Sequence, residues 1–210
     1  MHTAVRRRPV QRRSLERFER ILDACAELLD EVGYTGLTTK EVARRAQVPI
    51  GTLYQFFPGI EGLLGALAER NLEHFVARLS GRLEAAQPAD VGALVDLAIE
   101  EYVAMRRSVP GFGVVDFGAI GIEDEASIHL LDAVLDNNNA VAERLWTLAS
   151  GLLPEEGQDP ADPRPNPRLA LRIALECADA ILRLAFRVDP DGDPVLIAEC
   201  KRLLRGYLRT

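Results

Sequence analysis

The sequence predicts an all-α protein with a three-helix N-terminal head and a larger helical body. Apolar residues recur every three to four positions through most of the chain, which is typical of helices that bury one face. No segment alternates apolar and polar residues as half-buried strands do, and clusters of proline and glycine separate the periodic segments. With 210 residues, 48% of them hydrophobic and 27% charged, the chain is long and apolar enough to form a sizeable core.

The composition also argues against membrane-bound and secreted proteins. No uncharged apolar run approaches the roughly 18 residues that a membrane span needs, so we expect no membrane partner. The basic residues near the N-terminus are not followed by an apolar stretch, so we expect no secretory signal. The three cysteines, Cys25, Cys177 and Cys200, are far apart and odd in number. This pattern predicts no disulfide framework and fits the reducing cytoplasm.

Charge is distributed unevenly along the chain. The formal net charge is −7, yet residues 1–57 hold 10 Lys and Arg against 7 Asp and Glu. A basic head on an acidic body favours contact between DNA and the head alone. Residues 1–13 carry five arginines and no apolar periodicity, which predicts a disordered basic arm. Such an arm either reaches DNA phosphates or a minor groove, or is a solvated tail without a role.

Residues 14–64 are predicted to form the head, and its first helix is the longest. Ser14 is expected to be the N-cap, with an acidic residue in the first turn that follows. Apolar residues then recur at helical spacing as far as Gly33, which suits a left-handed position at the end of a helix. This first helix is therefore expected to cover residues 14 to 33.

Residues 38–57 are predicted to form two short helices joined by a tight turn. Thr38 or Thr39 is expected to cap the first of them. Proline is tolerated in the first turn of a helix, so the second is expected to open at Pro49 or Ile50. Two short helices with this spacing are typical of the helix-turn-helix pattern.

The second of these short helices has an unusual mixture of side chains. Thr52, Tyr54 and Gln55 stand beside the apolar Leu53 and Phe57. Hydroxyl and amide side chains on a short exposed helix suit the edges of bases and phosphate oxygens. This helix is therefore predicted to contact double-stranded DNA.

The body, residues 65–210, is predicted to consist of helices with two interruptions. Four glycines make residues 108–122 a broken or short helix, and five prolines make residues 151–167 an exposed loop. The remaining segments show helical periodicity. The predicted helices cover residues 60–83, 90–107, 123–150, 167–187 and 194–208.

The head resembles the DNA-binding head of the tetracycline-repressor (TetR) family of bacterial regulators. The resemblance covers about a quarter of the chain and is specific as a set of motifs. The matching motifs are Gly33-Tyr34, Leu37-Thr38-Thr39, Val42-Ala43, Ala46-Gln47-Val48, Gly51-Thr52-Leu53-Tyr54-Gln55-Phe56-Phe57 and Glu61-Gly62-Leu63-Leu64. The body matches that family only in its all-helical architecture.

The resemblance implies a homodimer that binds a pseudo-palindromic operator and responds to a small-molecule effector. It implies base contacts by one set of side chains and phosphate contacts by Thr39 and Tyr54, whereas Leu53 and Phe57 should be core residues. The residues predicted to bind DNA are Thr38, Thr39, Lys40, Pro49, Ile50, Gly51, Thr52, Tyr54, Gln55 and Phe56.

Two positions depart from the pattern of that family. Ile60 stands where the family usually has a phosphate-binding lysine, and the arginines of the arm are expected to compensate for it. Gln47 stands where the family has a glycine in the turn. If Gln47 is left-handed, this conformation costs about 1 kcal/mol.

A small-molecule pocket is predicted in the body. Asn138 falls on an apolar helix face, where its amide meets either a polar group of a neighbouring helix or a bound ligand. Aromatic and methionine residues nearby in the sequence either line a pocket or form plain core. The predicted pocket residues are Tyr102, Met105, Phe112, Phe117, Leu135, Asn138, Ala142 and Trp146.

The last two helices are predicted to form the dimer interface. Residues 167–187 are rich in small side chains, which allow helices to approach closely, and two copies would make a four-helix bundle. Alternatively, these helices only close the core of one subunit. The predicted interface residues are Ala170, Ala174, Cys177, Ala178, Ile181, Leu196, Cys200, Leu203 and Tyr207. Cys177 and Cys200 are expected to be buried packing residues, and the alternative is a redox-sensing role.

These features predict a ligand-responsive, sequence-specific transcription regulator, a repressor released from its operator by an unidentified small molecule. No catalytic motif or metal-ligand spacing occurs in the sequence, so we expect neither an enzyme nor a metal or other cofactor. The expected location is the bacterial cytoplasm, at the nucleoid when bound to DNA. The alternative is an architectural or partner-recruiting DNA-binding protein without an effector, and a second is an enzyme site hidden in the body.

Overall fold

A computed structural model describes residues 11–117, 141–149, 151–152 and 166–208. Helices account for most of these residues. The helices are α1 (Arg12–Gly36), α2 (Thr39–Arg45), α3 (Ile50–Phe56), α4 (Ile60–Ala86), α5 (Val91–Ser108), α6 (described over residues 141–148), α7 (Pro167–Val188) and α8 (Pro194–Leu208).

The chain divides into two compact units. The first comprises residues 1–73 and 108–134, and the second comprises residues 74–107 and 135–210. The predicted head lies within the first unit, and α4 contributes to both units because the division falls at residue 73.

The first unit is built around the apolar face of α1. Ile21, Leu22, Cys25, Leu28 and Leu29 are all buried there, at the three-to-four-residue spacing of an amphipathic helix. The helices α2, α3 and the first half of α4 supply the rest of this core, which continues to Val115. The helix-turn-helix is therefore attached to a core of its own.

The start of α1 differs from the prediction. The helix begins at Arg12, because the carbonyl of Gln11 accepts hydrogen bonds from the backbone N–H groups of Ser14 and Leu15. Ser14 is thus inside the helix and not its N-cap. Residues 12 and 13, which the sequence predicts to be part of the disordered arm, belong to α1, while residues 1–10 lie outside the described part of the chain.

The end of α1 keeps a left-handed glycine, but the helix does not stop there. Gly33 has φ of 67° and interrupts the helical backbone. The chain then makes one more turn to Gly36, after which the N–H of Leu37 donates to the carbonyl of Tyr34.

The turn between α2 and α3 is held by short-range hydrogen bonds. The hydroxyl of Thr38 accepts from the N–H of Glu41 at 3.2 Å and caps α2, as predicted. Gln47 follows α2 with φ of 54°, so this non-glycine residue does occupy the left-handed region. The N–H of Val48 then donates to the carbonyl of Ala43 at 3.0 Å, which fixes the direction in which α3 leaves the turn.

The segment after α5, residues 109–117, lies directly on the backbone of α1. Gly111 has φ of 72°, and a Cβ atom at this position would lie 2.8 Å from the Cα of Ala26. Nearby, the side-chain amide of Asn71 donates to the carbonyls of Val115 at 2.7 Å and Asp116 at 3.3 Å. Glycine at position 111 and an amide at position 71 are therefore both required for this packing.

Ion pairs connect the helices of the second unit. Arg78 and Arg82 of α4 contact the buried carboxylate of Glu101 on α5, with the nearest atoms 2.5 Å apart for Arg78. The neighbouring Glu100 accepts from Lys201 of α8 at 2.8 Å. These two adjacent carboxylates hold α4, α5 and α8 together.

The boundaries of α7 and α8 follow from their caps. Asn166 accepts from the N–H of Leu169 at 2.8 Å, with Pro167 in the first turn of α7. Asp193 accepts from the N–H of Leu196 at 2.9 Å at the start of α8. The two helices pack against each other and are joined by the short link that the sequence predicted.

In the parts of the chain that the structure describes, no helix combines the length and the apolar character needed to cross a membrane.

Candidate nucleic-acid interface

The helix α3 has two faces with different roles. Leu53 and Phe57 are fully buried, which agrees with the core positions predicted for them. Ile50 and Tyr54 are each 42% exposed, and Gln55 is also exposed. The helix is thus fixed by one side while the other side presents an aliphatic, a phenolic and an amide group to solvent.

Phe56 was predicted to contact DNA, but its side chain is buried. Its side chain is only 5% exposed, and its ring packs edge-on against Phe18 of α1 at a centroid distance of 5.7 Å. Phe57 stacks on the same Phe18 ring at 4.9 Å. Both phenylalanines therefore anchor the end of α3 to α1, and Phe56 is not available to a base.

Hydroxyl groups connect α2 and α3 on the exposed side. The hydroxyl oxygens of Thr39 and Tyr54 lie 3.1 Å apart and share a hydrogen bond. Thr38 accepts the capping hydrogen bond of α2, so its own hydroxyl proton is still available to an acceptor. Three hydroxyls next to the exposed face of α3 form an arrangement that can donate to phosphate oxygens.

The remaining residues predicted to contact DNA lie on α2 and at the start of α3. Lys40 is exposed and has no ion-pair partner among the described residues. Pro49 and Gly51 are exposed at the start of α3, and Thr52 is half-buried. Pro49 takes the cap position of α3 without a side-chain hydrogen bond.

An ion-pair cluster fixes α2 against α1. Arg45 donates to Glu31 at 2.7 and 2.8 Å and to Glu27 at 3.4 Å. The hydrogen bond from Arg45 holds the pKa of Glu31 below its ordinary value. Because Arg45 is the last residue of α2, this cluster fixes the end of α2 opposite Thr39.

The residues predicted to line a ligand pocket divide between the two units. Phe112 is fully buried in the first unit, where its ring meets that of Phe117 edge-on at 5.4 Å. In the second unit, Tyr102, Met105 and Ala142 are buried. Leu135 and Asn138 lie outside the described residues, so the proposed role of Asn138 stays a prediction.

Trp146 has a packing partner of its own. The guanidinium of Arg168 lies over the indole ring of Trp146 at 4.9 Å from the centroid, and it also donates to Glu143 at 2.8 Å. This interaction connects α6 with the first turn of α7.

Among the described helices, two buried polar side chains were not predicted. Asn71 is completely buried in the first unit, and its Oδ1 has no hydrogen-bond partner among the described residues. Glu101 is 4% exposed in the second unit. The sequence carries the same signal at these two positions as at Asn138, namely a polar residue among the apolar positions of a helix.

The predicted dimer residues fall on both sides of α7 and α8. Ala174 and Cys200 are buried within one subunit, so they cannot contact a second copy as predicted. Cys177 is exposed, contrary to the expectation that it is a buried packing residue, because it lies on the outer face of α7. Leu203 and Tyr207 of α8 are exposed too. The other four predicted residues, Ala170, Ala178, Ile181 and Leu196, are half-buried.

The exposed face of α7 holds larger apolar side chains that the prediction missed. Leu169, Ile173, Leu184 and Val188 are all at least 36% exposed. Together with Cys177 they recur at helical spacing, so they form one apolar stripe on α7. The dimer prediction relied on the small residues of α7. The side chain of Ala174 is buried inside the subunit, whereas the exposed face of α7 carries the larger apolar side chains.

The two buried thiols are chemically protected. Burial raises the pKa of Cys25 to about 12 and that of Cys200 to about 11. Both groups are therefore overwhelmingly protonated near neutral pH, and the protonated thiol is a poor nucleophile.

The short helices α2 and α3, joined by a tight turn and exposed on one side, define a helix-turn-helix protein. Residues 21–67 match the bacterial regulatory proteins of the tetR family, and residues 89–210 match the tetracyclin repressor-like C-terminal domain. The second match alone covers more than half of the chain, so the protein belongs to the TetR family of transcription regulators. This family is not a class of enzymes.

Solved structures agree with this assignment. A TetR-family transcriptional regulator from Streptomyces coelicolor, known from a crystal structure, is 44% identical in sequence to this chain. The two structures match with a TM-score of 0.74 over 91% of this chain and 97% of that chain. A transcriptional regulator FadR from Bacillus subtilis, in complex with stearoyl-CoA, shares the fold at 20% identity and a TM-score of 0.58, over 91% and 98% of the two chains.

The similarity to curated proteins is concentrated in the head. The transcriptional repressor KstR of Rhodococcus jostii (strain RHA1) is 41% identical over 63 residues, which are 30% of this chain and 30% of KstR. In the curated relatives the matched stretch spans about half of their length or less.

Proposed function

We propose that the protein is a sequence-specific, ligand-responsive DNA-binding regulator, a repressor that a small molecule releases from its operator. Residues 14–64 would form the DNA-binding domain and residues 65–210 the ligand-binding and dimerisation domain. The observation that carries the proposal is the division of α3 into a buried anchoring side and an exposed reading side. The similarity of the head to the repressor KstR favours repression.

In this proposal the exposed side chains of α3 read the major groove. The amide of Gln55 can form hydrogen bonds with the edge of an adenine. The hydroxyl of Thr52 can donate a hydrogen bond to a base edge or accept one from it. Thr39 and Tyr54, which already share a hydrogen bond, would donate to the phosphates beside the half-site.

The protein would act as a homodimer on a pseudo-palindromic operator. The stripe of Leu169, Ile173, Leu184 and Val188 exposes large apolar side chains along most of α7. A second copy that covers this stripe by a two-fold axis would remove it from water and place two heads on one duplex. The exposed Leu203 and Tyr207 of α8 would extend the same interface.

The effector would be an unidentified small molecule bound by the body, without a metal or other cofactor. The FadR protein with the same fold holds stearoyl-CoA, which supports a small-molecule site in this architecture. A regulator of this kind would work in the bacterial cytoplasm and be found at the nucleoid when bound to DNA.

Selection of bound fragments from genomic DNA tests the proposal. We expect the full-length protein to enrich a pseudo-palindrome whose half-sites lie about one helical turn, or a multiple of it, apart. Footprinting should then protect both half-sites. Enrichment of unrelated sequences without a shared motif would contradict sequence-specific regulation and favour an architectural role.

A further inference from the structure

The first half of α1 carries a stripe of arginines that the helix-turn-helix does not include. Arg13, Arg17 and Arg20 are four and three residues apart, so they lie on one face of the helix. All three are exposed. None of them has a carboxylate within ion-pairing distance in the described parts of the chain. We call these three residues the arginine stripe.

The neighbouring charges of the first unit are already neutralised. Arg44 binds Glu41, and Arg70 binds Asp23 at 2.6 Å. The two acids next to the arginine stripe are occupied elsewhere, since Glu16 pairs with Arg12 and Glu19 contacts Arg70. The stripe therefore keeps its full positive charge, which an anionic partner can use.

The stripe lies next to the DNA-reading helices. Phe18 lies in the same turn of α1 as Arg17, on a neighbouring face, and packs on Phe56 and Phe57 at the end of α3. Glu27 and Glu31 continue the line of the stripe along α1, seven and eleven residues after Arg20, and they bind Arg45 of α2. The stripe thus runs along the side of α1 that faces α2, on the same core as α3.

We propose that the arginine stripe binds the phosphate backbone of the DNA that flanks the half-site read by α3. The inference rests on the proposed function, and it adds a second contact surface on folded residues. The stripe is about 10 Å long at 1.5 Å per residue, and one DNA strand presents about three phosphates over that length of duplex. Guanidinium groups match phosphate oxygens in a bidentate geometry.

Duplex DNA fits this surface better than an acidic protein or a lipid headgroup would. The stripe lies on α1, which shares one core with α2 and α3, so one duplex can reach both the stripe and α3. Its arginines also stand at regular spacing along a straight helix, which suits a linear array of phosphates. Because phosphate contacts carry no sequence information, the stripe would raise affinity for every sequence alike.

The salt dependence of DNA binding tests the inference. We would measure binding of the full chain to a mixed-sequence duplex of about three helical turns, over a range of salt concentrations. The test variant is Arg17→Gln/Arg20→Gln, which leaves the sequence of residues 1–13 unchanged. The slope of log affinity against log salt should fall by about 0.9 for each phosphate that the variant no longer neutralises, hence by about 1.8 per head.

A charge-preserving variant provides the matched control. Arg17→Lys/Arg20→Lys keeps both positive charges at the same positions, so its slope should remain close to that of the parent. Thermal unfolding of both variants should match the parent, because the replaced side chains are exposed. A parent-like slope in the glutamine variant would overturn the inference.

A second measurement separates this inference from the proposed function. On a duplex enriched from the genome, the glutamine variant should lose affinity by the same factor as on mixed-sequence DNA. A parent that shows no sequence preference would defeat the proposed function, while the slopes would still decide the role of the stripe. A loss confined to the enriched duplex would contradict backbone binding by the stripe.

Discussion

At the scale of single residues, a step of one position on α3 decides whether a side chain is exposed to solvent or holds the helix against α1. Gln55 is exposed, whereas the next residue, Phe56, is buried against Phe18. Consecutive residues of a helix differ by about 100° in direction, so neighbours in the sequence belong to different faces. The DNA-binding and structural roles can therefore be separated by substitution.

We expect Gln55→Ala to weaken binding to the specific operator by about 1–3 kcal/mol and to leave binding to random DNA nearly unchanged. The amide pairs with a base edge only on the correct sequence, so its loss reduces the specificity. Titrations of both duplexes at one salt concentration measure the difference. Equal losses on the two duplexes would show that Gln55 does not read a base.

We expect Phe56→Ala to behave differently, because it leaves a cavity between α3 and α1. Truncation of a buried phenylalanine costs about 3–5 kcal/mol of stability. The variant should unfold at a lower temperature by calorimetry and lose affinity for all DNA sequences in proportion to the unfolded head. Normal stability together with a loss of specific binding would restore Phe56 to the DNA-binding residues.

Thiol reactivity is a third property set by single residues. Cys177 is exposed, but burial raises the pKa of Cys25 to about 12 and that of Cys200 to about 11. The thiolate fraction of the buried pair becomes appreciable only as the pH approaches these raised values. Iodoacetamide at about pH 8 should therefore modify only Cys177 in the folded subunit, as mass spectrometry would show. Modification of Cys25 before unfolding would contradict its burial.

At the scale of elements, the sequence predicted helices more reliably than their faces. The boundaries of α5, α7 and α8 fall within about one residue of the prediction, because Pro167 and Pro194 mark two of the starts. The start of α1 was missed because Gln11 caps it through its backbone alone and leaves no side-chain signal. A helix boundary can be predicted from the sequence where a capping side chain or a proline marks it.

The faces of α7 show why the dimer residues were only partly predicted. Small residues allow close packing, but the sequence does not say which neighbour is close. Ala174 faces the inside of its own subunit, while the exposed stripe holds Leu184 and Val188. Likewise, nothing in the sequence relates Asn71 to the carbonyls of residues 115 and 116, because such contacts depend on the tertiary fold.

We expect Leu184→Arg to convert the proposed dimer into folded monomers. Leu184 is 44% exposed in one subunit, so the arginine would not disturb the subunit core but would place a charge in the interface. Sedimentation velocity measures the change, and Cys177 should become more reactive in the monomer than in the dimer. A dimer of normal stability would show that the apolar stripe is not the interface.

Val32→Arg is the matched control for this experiment. Val32 is 47% exposed and carries an apolar side chain of similar accessibility, but it belongs to α1 and not to the apolar stripe of α7. This variant should remain a dimer. Ala174→Arg is unsuitable as a test, because a buried arginine would disrupt the subunit itself.

At the scale of the whole molecule, the question is how the body controls the head. The predicted head lies within the first unit, so the side chains proposed to contact DNA all belong to that unit. We expect an apolar small molecule with one or two polar groups to bind the body and weaken operator binding. A tenfold loss of affinity corresponds to about 1.4 kcal/mol of differential binding between the two states.

Asn138→Leu should blunt this response while DNA binding without ligand remains close to that of the parent. The sequence places Asn138 on an apolar helix face, where the amide would supply one of the polar contacts to the effector. Operator titrations with and without the inducer, and ligand-dependent thermal shifts, measure the two effects. A variant that responds like the parent would remove Asn138 from the effector site.

The separation of the two faces of α3 has an evolutionary consequence. The anchoring side chains, Leu53, Phe56 and Phe57, are buried, while Gln55 is exposed and Thr52 is only half-buried. Substitutions of exposed side chains generally change stability by no more than about 0.5 kcal/mol. Under the proposed function, a daughter copy produced by gene duplication could acquire a different operator by a change at the exposed position 55, without first gathering compensating mutations in its core.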